Sequence, residues 1–136
     1  MSKLLKIFTA FLACSLLTVS VFASVLLWSE SGYEGDIYIT KDLRIDVSQN
    51  SRTFYAITST NRSVSEIETT VRVVTRDKEI YVGSDEWTTY NRQESEAFYP
   101  VSFSGIPQAL QARGTFIVKN NGVTVLNFTS GYKVYE

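Results

Sequence analysis

Histidine is absent from the 136-residue sequence, and cysteine occurs once. Without an imidazole there is no His-dependent catalytic triad, no His general base and no His metal ligand. The single cysteine, Cys14, lies within an apolar N-terminal stretch, so the chain can hold neither an internal disulfide nor a cysteine zinc site. Positive charge does not dominate either: 13 Lys and Arg stand against 14 Asp and Glu, a formal charge of −1. Phosphate backbones require a concentrated basic surface, so this balance argues against a nucleic-acid partner. These absences remove most hydrolase and metalloenzyme mechanisms and leave binding or structure as the default role.

Residues 1–23 carry the pattern of a secretory signal peptide. Lys3 and Lys6 supply the positive start, Ile7 to Phe22 is largely apolar with no Asp or Glu, and Val21-Phe22-Ala23 gives small-x-small spacing for cleavage after Ala23. The run approaches the roughly 20 residues that span a bilayer. Ser15, Thr18 and Ser20 dilute it and no cationic stop-transfer flank follows, so cleavage is expected rather than a transmembrane anchor. Phe11-Leu12-Ala13-Cys14 resembles a lipobox, in which the cysteine is acylated. Cleavage there would leave the apolar Ser15 to Ala23 at the new start, where a lipoprotein has a polar tether. The expected location is therefore secreted or cell-surface associated, with no stable membrane span, and a lipid on Cys14 is the alternative. Residues 24–136 then make a single domain, long enough for one core and too short for two. Export without disulfides suits a Gram-positive bacterium.

No stretch of residues 24–136 shows helical periodicity beyond two turns, whereas period-two alternation recurs. Ile37 and Ile39 share one face, continued by Leu43, Ile45 and Val47, until Ser48-Gln49-Asn50-Ser51 breaks the pattern. Arg52 to Ser59 is a strand ended by Asn61-Arg62-Ser63. In Ser65 to Thr75, Ile67, Val71 and Val73 line one side, with Glu66, Glu68, Thr70 and Arg72 on the other. Asp77-Lys78 turns the chain into Glu79 to Gly83, and Trp87 to Tyr90 and Glu96 to Phe103 follow, with Pro100 marking an edge or irregularity. Ser104 to Gln111 is a loop or one helical turn. Asn120-Asn121-Gly122, between Gly114 to Lys119 and Val123 to Thr129, is the strongest hairpin signal, since Asn-Gly accepts positive φ at both central positions of a type I′ turn. Tyr132 to Tyr135 closes the domain. Eight or nine short strands predict an all-β, single-domain antiparallel β-sandwich of immunoglobulin-like kind, with a small β-barrel as the alternative.

The block from Phe54 to Ile67, then Val71-Arg72-Val73-Val74 and a polar turn, resembles small secreted β-sandwich proteins of Gram-positive bacteria. Arg113-Gly114-Thr115-Phe116-Ile117-Val118 and the final Gly131-Tyr132-Lys133-Val134 fit the same layout. These are strand and turn residues with no catalytic signature, so the resemblance implies export and a sandwich fold and no reaction.

Carboxylate pairs can perform glycosidic chemistry without histidine. Asp85-Glu86 and Glu94/Glu96 are the candidates, but neighbouring acids on a solvated strand are common, and no catalytic residue is assigned. Glu34, Asp36, Asp42, Asp77, Asp85 and Glu86 could offer oxygens to calcium, yet none falls in an alternating D-x-D-x-D loop, so no metal or cofactor is assigned. The sequons Asn61-Arg62-Ser63 and Asn127-Phe128-Thr129 read as chance matches in a bacterial chain. Aromatics give the positive signal. Tyr38 alternates with Ile37 and Ile39, and Tyr81 with Ile80 and Val82, which turns both away from the core, while Trp87 and Tyr90 lie in polar surroundings. Exposed Trp and Tyr form platforms for sugar rings or partner proteins. The expected role is a non-enzymatic extracellular binding module with Tyr38, Tyr81, Trp87 and Tyr90 as its surface and a protein or glycan of the cell envelope as partner. A secreted antagonist (a toxin, bacteriocin or enzyme inhibitor) is the alternative, and a carboxylate-based hydrolase ranks last.

Overall fold

A computed structural model describes residues 23–135. The predicted leader lies outside the described residues except for Ala23, and so does Cys14 with its lipidation alternative. Seven strands form one antiparallel sheet: β1 (Ala23–Glu34), β2 (Ile37–Val47), β3 (Ser51–Thr75), β4 (Tyr81–Ser102), β5 (Leu110–Asn120), β6 (Val123–Thr129) and β7 (Lys133–Val134). The chain is all-β as expected, and no helix occurs among the described residues.

The expected eight or nine strands become seven because two of the strands are long. Arg52 to Ser59 and Ser65 to Thr75 are the two halves of β3, and the three segments expected between Glu79 and Phe103 merge into β4. Asn61-Arg62-Ser63 does not end a strand. It forms a bulge: between the pairs Ser59↔Glu94 and Val64↔Arg92, residues 60–63 of β3 stand opposite Gln93 alone. Strand β1 was not expected, since its apolar start, Val25 to Trp28, reads as a continuation of the leader. The Ser104 to Gln111 segment is a loop up to Leu110, with no helical turn. At the β5–β6 turn Asn121 and Gly122 have φ of 51° and 77°, the positive pair that a type I′ hairpin requires.

The bulge also corrects a phase change. Before it the buried residues of β3 alternate on even numbers, Phe54, Ala56, Thr58 and Thr60; past Val64, which is buried beside the bulge, the alternation runs on odd numbers, Ile67, Thr69, Val71 and Val73. Extra residues inserted at residues 60–63 turn both sets to the same side and crease the β3–β4 hairpin. In the first arm, the N-terminal half of β3 lies between β2 and the C-terminal half of β4; in the second arm, its C-terminal half lies between β5 and the N-terminal half of β4. The sheet therefore curls into a half-barrel whose inner faces meet. Trp28 of β1 contacts Phe116 of β5 and stacks on Phe128 of β6, each with ring centroids 5.9 Å apart. The Thr58 and Thr69 hydroxyls share a 2.7 Å hydrogen bond in the buried space between the arms.

The main core joins Leu43, Ile45, Phe54, Ala56, Val71, Val73, Ala97, Leu110, Ala112 and Phe116, and a smaller cluster of Ile37, Ile39, Val64, Ile67 and Val118 lies toward the crease. Burying a side chain such as Phe54 or Leu43 contributes about 1.5–3 kcal/mol. Among the described residues no buried side-chain polar atom is without a hydrogen-bond partner. Pro100 sits where the sequence suggested. The Phe98 N–H donates sideways to the Asp85 carboxylate at 3.0 Å, away from β3, and Pro100 shares that parity, so its missing N–H falls on the open edge.

Candidate functional site

Where β4 crosses the crease, its two halves flank a cleft of about 530 Å³ lined by Trp87, Thr89, Ser63 and the run from Asn91 to Glu96. Asn91 turns the strand there with a φ of 52°, a left-handed conformation that asparagine tolerates. Side chains then tie the halves together: the Ser95 hydroxyl donates to the Trp87 carbonyl at 2.8 Å and the Thr89 hydroxyl to the Glu94 carbonyl at 2.9 Å. These bonds occupy backbone acceptors that an open edge would leave free.

Trp87 is the register partner of the buried Thr69, so its indole belongs to the inner face, yet it remains 58 % exposed. The side chains of Asn91, Arg92, Gln93 and Glu94 are exposed and make no hydrogen bond or ion pair with other described residues. A flat indole beside unengaged amide, guanidinium and carboxylate groups can stack on a sugar ring and bond its hydroxyls. Glu96 adds a carboxyl raised above its ordinary value by burial, with Glu94 and Asp46 pushing in the same direction and Arg44 opposing them.

The four expected aromatics do not form one surface. Tyr90 pairs with Glu66 on the outer face, opposite in direction to Trp87. Tyr38 lies near the tip of the β1–β2 hairpin, its ring edge-on to Tyr33 at 5.0 Å, while its N–H donates to the Asn61 side chain at 3.0 Å. The neighbouring Arg62–Asp36 ion pair, at 2.8 Å, holds that tip against the bulge. Tyr81 is at the opposite end of the second arm, beside the β3–β4 turn, where Arg72 lies over its ring at 4.8 Å. Tyr38 and Tyr81 do point away from the core, at 39 % and 54 % exposure.

Sequence reading missed an outer-face row on the first arm. Leu26, Arg44, Tyr55 and Phe98 are consecutive register partners across four strands, with Leu26 and Phe98 more than half exposed. Burial first, then the Asp46 and Glu96 carboxylates, hold the Tyr55 phenol above its ordinary value. The alternation shows that these residues face outward, but only the register shows that they adjoin. Among the described residues no group of three or more acidic, histidine or cysteine side chains could hold a metal ion. No family model, curated protein or solved structure matches the chain.

Proposed function

We propose that the chain is an extracellular, non-enzymatic binding module of sandwich-like build, with the β4 cleft as its site and an oligosaccharide of the cell envelope as its ligand. The two arms facing each other across a shared core support the sandwich-like reading over a closed barrel. The observation that carries the function is Trp87: an indole of the inner face left open to solvent next to Asn91, Arg92, Gln93 and Glu94, whose side chains make no hydrogen bond or ion pair with other described residues. Stacking supplies affinity at low rotamer cost, and the polar run fixes the orientation of the sugar.

Tryptophan fluorescence reads the site directly, because Trp28 is packed between Phe116 and Phe128 while Trp87 is exposed. Titration with hexasaccharides of glucose and of N-acetylglucosamine is expected to give a saturable change that Trp87→Ala abolishes and Trp87→Phe reduces. Equal binding by Trp87→Ala ends the proposal. Glu94 and Glu96 in the same cleft keep the carboxylate hydrolase as a second reading. Release of shorter sugars that stops in Glu94→Gln or Glu96→Gln decides for it.

A further inference from the structure

Arg72 of β3 and Arg113 of β5 stand directly opposite each other in the sheet register, on the outer face of the second arm. Like charges so placed repel. Elsewhere this sheet pairs opposite charges at register positions, Glu66 with Lys119 and Glu30 with Lys41, each at 3.3 Å. Neither Arg72 nor Arg113 forms an ion pair with a described carboxylate.

Aromatic rings hold both guanidinium groups instead. Arg72 lies over the Tyr81 ring at 4.8 Å and donates its Nε–H to the Tyr132 hydroxyl at 3.2 Å, while Arg113 lies over the Tyr132 ring at 5.1 Å. Ser84, the β4 register partner of Arg72, shares a 3.0 Å hydrogen bond with the Tyr81 hydroxyl. Ser84, Arg72 and Arg113 thus make one row across three neighbouring strands. Ring faces restrain a guanidinium without neutralising it. Directly opposed residues have Cβ atoms about 4.5–5.5 Å apart, so two planar forks rooted there can converge on one anion.

We propose that Arg72 and Arg113 form an oxyanion site, walled by Tyr81, Ser84 and Tyr132, that takes a phosphate or sulfate group, free or esterified. The anion removes the repulsion that the bare pair leaves in place. The site is separate from the β4 cleft and stands whether or not that cleft binds sugar.

Inorganic phosphate, titrated calorimetrically into the full chain in a chloride background of constant ionic strength, is expected to bind saturably at one site. Arg72→Gln and Arg113→Gln each weaken it about tenfold or more, and Lys78→Gln, an exposed turn residue, leaves it unchanged. Arg113→Gln also removes a like-charge contact, so its melting temperature in chloride equals or exceeds that of the parent chain, which separates lost binding from misfolding. Glucose 6-phosphate and phosphatidylglycerol vesicles, run in parallel, distinguish a soluble ester from a lipid headgroup; arginine-dependent binding of either supports the site. No saturable binding of phosphate, glucose 6-phosphate or the vesicles by the parent chain, or equal binding by both arginine variants, overturns it.

Discussion

The two halves of β4 present the same inner side to different surroundings. In the C-terminal half Ala97 and Ser95 are closed off from solvent, and Tyr99 and Val101 pack against the core; in the N-terminal half Trp87, on the same parity, is more than half exposed. The cause is the crease. Strand β3 has β2 beyond it in one arm and β5 in the other, but β4 is the outermost strand of both arms. At Trp87 the neighbouring wall is the run from Asn91 to Glu96 of β4 itself, and the indole stays open to solvent. Alternation along a strand tells which face a residue points to, and says nothing of whether another layer lies over that face.

Truncation of one inner aromatic in each arm tests this contrast with the largest effect. Phe54, paired with Tyr99, is 1 % exposed in the main core, and Phe54→Ala is expected to destabilise by about 3–5 kcal/mol in urea unfolding. Trp87→Ala is expected to change stability by less than about 0.5 kcal/mol while removing sugar binding. Comparable losses in the two variants would show that the indole is a core residue and that the cleft is no site.

That contrast also marks what the sequence made legible. Ile67, Val71 and Val73 were readable as a core stripe, and Asn121-Gly122 as a tight turn, because each depends on local spacing and backbone preference alone. The outward direction of Tyr38 and Tyr81 followed from the same periodicity. Asn61-Arg62-Ser63 was not decidable, since the same polar residues suit a chain reversal and a bulge; what selects the bulge is the continued pairing of β4 on both sides of it. The expected likeness to secreted sandwich proteins implied no site. Trp87 was named, but its cleft depends on Asn91 to Glu96 folding back beside it. The Arg72–Arg113 opposition was invisible, because β3 and β5 register is set by strands far apart in sequence.

Where the two halves of β4 touch, glycine is required for space. A methyl group on Gly83 would overlap the Tyr99 ring, whose hydroxyl donates to the Val82 carbonyl at 3.4 Å. Gly83→Ala is therefore expected to cost about 1–3 kcal/mol in thermal or urea unfolding. Combining it with Tyr99→Leu, which withdraws the ring, is expected to recover part of the loss. If the double variant is no better than the sum of the two single ones, the Tyr99 ring does not lie against Gly83, and the contrast between the halves loses its structural basis.

The smallest expected effect lies at Glu96, which borders the cleft on one side and the Tyr55 row on the other. Its folded-state pKa is raised, chiefly by burial and then by Glu94 and Asp46. A carboxyl of this kind binds its proton more tightly in the folded than in the unfolded chain, so its contribution is most favourable in acid and is lost as pH rises through the folded pKa. Glu96→Gln lacks that loss. The variant should gain melting temperature relative to the parent chain as pH rises from the carboxylate range toward neutrality, and hold the gain above it. Because Glu96 also helps to keep the Tyr55 phenol above its ordinary value, after burial and Asp46, the same change should shift the Tyr55 titration slightly downward in ultraviolet difference spectra. A pH-independent stability difference, or an unmoved Tyr55, would mean that solvent screens Glu96 from its neighbours. The carboxyl would then belong to the open part of the cleft, with Asn91 and Gln93, and not to its wall.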